Sequence, residues 1–256
     1  MSETYICRAE RTNVLLAPKT SSSLETQLIY GQGFIGHKSH GAFIEGELVP
    51  LIENAKLPIS KGFVRAKDLA PLTNEPDYKI SALKAPVFAR KDIKSPIKML
   101  LPFGARVQAL SSHRSFIRIG RGQYIHRQHI ASMNDYATDF VEVAERHMGL
   151  PYIWGGVSSE GLDCSGLVQA ALWAAGASCP RNSGEQKDLL GTAMDTDAPL
   201  KRGDLIFWPG HVGIMQDSAR MIHANGFHMR TESEPLTIAA GRIEKSDGPI
   251  IAIKRL

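Results

Sequence analysis

Cysteine is scarce in this chain of 256 residues: Cys7, Cys164 and Cys179 are all it has. An odd number with no CxxC spacing argues against a disulfide framework and against a four-thiolate zinc site. Long apolar runs are missing as well. No stretch of about eighteen apolar residues is present to span a membrane. The opening MSETYICRAERTNVLL carries charges where a secretory leader needs an unbroken apolar core. A reduced, cytoplasmic protein is therefore expected. Aromatic residues make up only 7% of the chain, and the net charge of +4 comes from interspersed residues of both signs. Without a basic run, no nucleic-acid partner is expected. What is present is an ordinary globular composition, 43% hydrophobic and 22% charged. The length suits one sizeable core or two or three smaller domains.

The pattern changes near residue 132. Before it, short β-like pieces such as GAFIEGELVPLI, KGFVRAK, APVFAR and SFIRIG alternate with turns rich in Gly, Pro and Ser. Two pieces look alike, KGFVRAKDLAP (61–71) and RGQYIHRQHIA (121–131). Their separation of about sixty residues is the size of one small barrel, which predicts tandem all-β barrels over 1–75 and 76–132. Beyond lies a domain over 133–256. A helix is expected over DFVEVAERHMG (139–149), with Phe140, Val143, Ala144 and Met148 on its inner face. A second should run from Cys164 to Ala175, with Leu167, Val168, Ala171 and Leu172 buried and Gly176 as its stop. KRGDLIFWPG, HVGIMQD, RMIHANG and GPIIAIKRL read as strands. Helices first and antiparallel strands after make this half α+β.

Cys164 opens its helix, between Gly161 and Asp163 on one side and Ser165 and Gly166 on the other. Unpaired N–H groups and the positive end of the helix dipole favour a thiolate there. A cysteine nucleophile needs a base, and the base needs an orienting partner. Of nine histidines, His37, His40, His113, His126, His129 and His147 read as surface imidazoles. His211 stands at the start of a strand and His223 on the next one, where two rings can hydrogen-bond, one as base and the other fixing its tautomer. Plainer readings exist for several neighbours. Asp163 can cap the helix, Ser183 can cap GEQKDLL, Tyr152 and Trp154 can be core aromatics, and Arg181 and Gln186 can brace a loop. Cys179 reads as buried filler. Zinc on Cys164, His211 and His223 would lack a fourth ligand.

The blocks PYIWGG, DCSGLVQAAL, PRNSGEQ, RGDLIFW, HVGIM and MIHA, in that order, resemble the signature of the NlpC/p60 cysteine peptidases of bacterial cell-wall peptides. The likeness covers about half the chain, residues 135–256. It implies a papain-like fold in which Cys164 is the nucleophile, His211 the base and His223 the third polar residue. Tyr152 matches a residue of the oxyanion and substrate pocket, with the N–H of Cys164 as a second oxyanion donor. Asp163 and Ser165 match residues that grip a D-glutamyl group. Asn182 and Ser183 fall among substrate contacts, although Asn182 stands where Thr or Asp is commoner. The N-terminal barrels resemble bacterial SH3-like domains, and Glu45, Glu47 and Glu53 are the carboxylates near the strands of the first. The resemblance implies hydrolysis of γ-D-glutamyl–diamino acid bonds in peptidoglycan-derived peptides, without cofactor or metal, in recycling of muropeptides. A cell-wall amidase or acyltransferase of the same fold, or an exported lysin, is the alternative.

Overall fold

The computed structural model describes residues 2–50 and 57–256. Two compact units divide the chain. One gathers Ile59–Tyr136 with the strands that precede it, and the other holds Ala137–Leu256.

In the first unit the strands follow the alternation of the sequence. Arg11–Leu15 buries Thr12, Val14 and Leu15 while Arg11 and Asn13 face solvent. The first seven strands are β1 (Glu3–Cys7), β2 (Arg11–Leu15), β3 (Leu24–Ile29), β4 (Gly33–His40), β5 (Phe43–Leu48), β6 (Lys61–Arg65) and β7 (Leu69–Pro71). They form one antiparallel sheet in the order β3-β2-β6-β5-β4-β1-β7, over a core that includes Val14, Leu28, Phe34 and Val64. Eight more follow: β8 (Tyr78–Ile80), β9 (Lys84–Phe88), β10 (Ile97–Pro102), β11 (Arg106–Val107), β12 (Ser111–His113), β13 (Phe116–Gly120), β14 (Gln123–His126) and β15 (Ile130–Ser132). These make a five-stranded sheet, β10-β9-β14-β13-β12, and a three-stranded one, β11-β8-β15, around Ile80, Val87, Leu101 and Ile125.

The two look-alike pieces fold alike. Each is a strand (β6 or β14), a 3-10 turn (Ala66–Asp68 or Arg127–His129) and a short strand (β7 or β15). The two strand groups meet where Arg106 N–H donates to Tyr30 O at 2.9 Å and Leu100 N–H to Glu10 Oε1 at 2.7 Å. Gly31 allows that approach. Its φ is +76°, and a Cβ there would lie 2.0 Å from Arg106 O. The seven-stranded ladder has β3 and β7 as its edges, so no pairing among the described residues closes it into a barrel. Glu45 pairs with His40 and Glu47 with Lys61, while Glu53 lies outside the described residues.

The second unit opens with α1 (Phe140–Glu145), capped by Asp139, whose Oδ1 accepts from Val141 N–H at 2.9 Å. It is shorter than expected and turned differently. Val141, Val143 and Ala144 are buried, whereas Met148 is exposed beyond the helix end. His147 is a correction: the expected surface imidazole is 1% exposed, and its Nδ1 donates to Val143 O at 2.8 Å. A short hairpin, β16 (Val157–Ser158) and β17 (Gly161–Leu162), leads into α2 (Cys164–Ala174). Leu167, Val168, Ala171 and Leu172 are buried as expected, each Leu or Val side chain contributing roughly 1.5–3 kcal/mol. Gly176, at φ +79°, follows the helix end.

After α3 (Ser183–Leu189) comes a six-stranded antiparallel sheet. Its strands are β18 (Thr192–Met194), β19 (Leu205–Trp208), β20 (His211–Met215), β21 (Arg220–Asn225), β22 (Arg230–Pro235) and β23 (Ala252–Arg255), in the order β18-β23-β19-β20-β21-β22. Helix α2 packs on β20 and β21. Helix α4 (Leu236–Ser246) buries Ala239 and Ile243 with Ile206, Trp208, Met215 and Met221. The expected α+β order, helix before sheet, is the one observed. Among the described residues no helix is long and apolar enough to cross a membrane.

Candidate active site

The start of α2 is built around one carboxylate. Asp163 is its N-cap, with extended backbone (φ −93°, ψ −179°), and its Oδ1 accepts from Gly166 N–H at 2.7 Å. Its Oδ2 accepts from Gly155 N–H at 2.8 Å, and Arg181 grips both oxygens at 2.9 and 2.6 Å. Ser165 Oγ donates to Oδ1 at 3.2 Å and accepts from Arg181 at 2.9 Å. Such a buried bidentate pair fixes geometry more than it adds net stability. Gly166 is required, because a Cβ would come within 2.2 Å of Gly156 O. Asp163 thus plays the capping role, and its hydrogen bonds are spent inside the protein together with those of Ser165. Gln186 Nε2 donates to Ser165 O at 2.9 Å and Pro180 O at 3.0 Å, which is the expected loop brace.

This frame holds Cys164 at the first turn of α2, 6% exposed, with its Sγ 3.9 Å from the carbonyl oxygen of Gly210, next to His211. Burial, with the Asp163 charge beside it, pushes the thiol up to about 12, against the lowering expected from the helix start alone. Cys179 is also buried, and burial raises its thiol too. It donates to Pro180 O at 3.4 Å and accepts from Gln186 at 3.3 Å, the filler role expected of it.

His211 begins β20 beside Trp208, ring centroids 5.8 Å apart. The register Met215↔Met221 and Ile214↔Ile222 continues to Gly213 beside His223, so the two imidazoles are diagonal neighbours. A Cβ on Gly213 would lie 2.5 Å from the Met221 methyl, and its absence keeps that strand pair close. His211 Nε2 lies 2.8 Å from His223 Nδ1. Burial and the neighbouring His223 bring His211 down to about 3, and burial also lowers His223 despite its hydrogen bond to Glu234. Burial thus shifts both the thiol and the two imidazoles toward their uncharged forms.

The chain of contacts continues past the expected residues. His223 Nε2 lies 2.7 Å from Glu234 Oε1, and Arg242 of α4 donates to both Glu234 oxygens at 2.5 and 2.8 Å. Neither residue was foreseen. The spacing of Leu236, Ala239, Ala240 and Ile243 could have revealed α4, whereas β22 (RTESEP) carries no apolar alternation to reveal Glu234. His223, His228 and Glu234 also offer three donor atoms within 4.8 Å of one another. A metal there would face the Arg242 guanidinium already bound to the same carboxylate, so the donor set suits proton positioning better than a cation.

The remaining expected residues sit nearby in different states. Tyr152 is half-buried in the strand-like bridge to Leu162, and its hydroxyl is raised to about 12, chiefly by burial. It stays a donor at neutral pH. Trp154 is 70% exposed and is not a core aromatic. Ser183 is the first residue of α3, not its cap. The cap is Asn182, whose N–H donates to Glu185 Oε2 at 3.3 Å.

Residues 149–238 match the NlpC/P60 family. The chain carries an NlpC/P60 domain. The γ-D-glutamyl-L-lysine dipeptidyl-peptidase of Bacillus subtilis is 26% identical over 227 residues, 80% of this chain and 73% of that protein. Its Bacillus cereus counterpart is 28% identical over 254 residues, 89% of this chain and 75% of that one. In fold, the chain resembles the crystal structure of an NlpC/P60 family protein from Bacillus cereus, with a TM-score of 0.81, 22% identity, and coverage of 98% and 99% of the two chains. The mixed helix-and-strand second unit is thus papain-like in the NlpC/P60 manner.

Proposed function

We propose that this protein is a cysteine peptidase that hydrolyses the amide bond between the γ-carboxyl of D-glutamate and a diamino acid in peptidoglycan-derived peptides. The observation that carries the reading is Cys164 at a helix start, its Sγ 3.9 Å from the carbonyl oxygen of Gly210, the residue before His211, which is itself hydrogen-bonded to His223. The names of the relatives along most of the chain supply the substrate class.

In this mechanism His211 takes the thiol proton as Cys164 attacks the γ-glutamyl carbonyl. The tetrahedral oxyanion is met by the N–H of Cys164, in the first turn of α2, and by the Tyr152 hydroxyl. His211 then gives its proton to the leaving amine, and a thioester remains on Cys164. Water, with His211 again as base, completes hydrolysis. His223 orients His211 throughout. Ser183 contacts the substrate, while Asp163 and Ser165 serve the D-glutamyl position through the helix start and Arg181 that they hold.

The N-terminal strand groups are, in this proposal, two SH3-like modules, over 1–75 and 76–132, preceding the peptidase domain at 133–256. The repeated strand, 3-10 turn and strand in each group supports it. Three free thiols, Cys7, Cys164 and Cys179, suit a reducing compartment and therefore turnover of muropeptides in the cytoplasm. The test is mass spectrometry of products from defined muropeptides. Release of the diamino acid portion with a free amine is expected. Cleavage at a glycosidic or muramyl-amide bond in place of the γ-glutamyl bond would reject the substrate class.

A further inference from the structure

Two neutral imidazoles in a row can be hydrogen-bonded in either direction. In one direction His211 Nε2 donates to His223 Nδ1, and His211 Nδ1 is left with a lone pair. In the other the hydrogen sits on His223 Nδ1, His211 Nε2 accepts it, and His211 Nδ1 carries the remaining hydrogen. Only the first leaves the nitrogen away from His223 able to accept a proton from a thiol. The pair cannot choose between these by itself.

Glu234, 7% exposed, stands at the far end of the chain. His223 is paired with Glu232 in the β21–β22 register, so Glu234 is its diagonal neighbour. The groups that face Glu234 are His223 from β21, His228 from the following turn, 4.0 Å from Oε1, and Arg242 from α4. The Phe227 ring covers the outer side of the Arg242 guanidinium, 4.3 Å from ring centroid to Cζ. Resting on the reading of His211 as base, we propose that the Glu234–Arg242 ion pair is the positioning element that sets the direction of the hydrogen-bond chain through His223 to His211.

The logic is one of donors and acceptors. A carboxylate accepts only, so His223 Nε2 must carry its hydrogen toward Oε1, and its Nδ1 must accept. His211 Nε2 then donates, and His211 Nδ1 is free for the thiol proton. A protonated carboxyl could donate and reverse the chain. Burial alone would push Glu234 that way, but the hydrogen bonds from Arg242 and His223 outweigh it and hold the carboxyl well below its usual range. Arg242 thus acts two residues away from the ring whose tautomer it settles.

The experiment is long-range proton–nitrogen NMR of the full chain with nitrogen-15 histidine, comparing wild type, Arg242→Ala and Arg242→Lys, with kcat and KM measured on the same samples. Wild type should show hydrogen on Nε2 of both His211 and His223. Arg242→Ala should mix the tautomers and lower kcat by about 10- to 100-fold with KM within about twofold. Arg242→Lys should restore the single tautomer and most of the rate. Hydrogen on His211 Nδ1 in wild type would overturn the proposal even if no variant folds, and so would unchanged tautomers and kcat in Arg242→Ala. The spectra need no substrate. The stated tautomers without γ-glutamyl hydrolysis would uphold the relay and reject the substrate reading alone.

Discussion

The two units hold histidines in similar number, five in the first and four in the second, and use them differently. In the first, His40 meets Glu45 at 2.7 Å on an open strand surface, and the His126 and His129 rings lie 6.0 Å apart without a hydrogen bond between them. In the second, His223 meets Glu234 at the same 2.7 Å, but the imidazole is 1% exposed and its other nitrogen holds His211. Proximity is equal, and burial and continuity differ. A histidine–carboxylate pair becomes chemical machinery when water cannot compete for it and when its second nitrogen has an assigned partner.

The sharpest way to break that comparison is at the thiols. Both Cys164 and Cys179 are buried, yet only Cys164 opens a helix, with its Sγ 3.9 Å from the carbonyl oxygen of Gly210, the residue before His211. Cys164→Ala should lower kcat by about 10³-fold or more with the fold intact by circular dichroism, whereas Cys179→Ala should stay within about threefold. Equal activities would remove Cys164 from the mechanism.

Next come the imidazoles. His211→Ala should cost about 10³-fold in kcat and His223→Asn about tenfold, since Asn still accepts from His211, and His40→Ala in the first unit should change little. Protonation of His211 removes the base, and its pKa is depressed. The acid limb of kcat/KM should therefore fall below pH 6.5, the ordinary imidazole value. A limb at or above that value would contradict the neutral, buried base.

The smallest effect concerns His147, which burial lowers to about 4 despite its bond to Val143 O. The folded pKa lies below the unfolded one, so the unfolded chain binds the proton first. The stabilising contribution is present above about pH 6.5 and is lost as pH falls toward 4. Between pH 7.5 and 5 this costs on the order of 2 kcal/mol. Thermal melts of His147→Asn should show a shallower loss of stability over that window than wild type, and parallel pH profiles would rule the assignment out.

What the sequence made legible was whatever depends on neighbours along the chain. Asp163, Cys164 and Gly166 announce a capped helix start, and Leu167, Val168, Ala171 and Leu172 give its buried face. His211 and His223 sit on apolar strands with clear turns around them. The rest depended on partners distant in sequence. Arg181 reaches Asp163 from eighteen residues away, and β22 buries Thr231 and Glu234 in place of apolar residues, so hydrophobic alternation is silent there. His147 lies beyond the end of α1, so the helical period does not announce its burial.

The central claim is covalent: an acyl group passes through the Cys164 sulfur. Acid-quenched turnover of an L-alanyl-γ-D-glutamyl–diamino acid peptide by the full chain, followed by intact-protein and peptide-map mass spectrometry, tests it most directly. The account predicts a thioester-linked L-alanyl-γ-D-glutamyl group on Cys164, absent from Cys164→Ala. Steady product formation by Cys164→Ala, or an acyl group on any other residue, would contradict it.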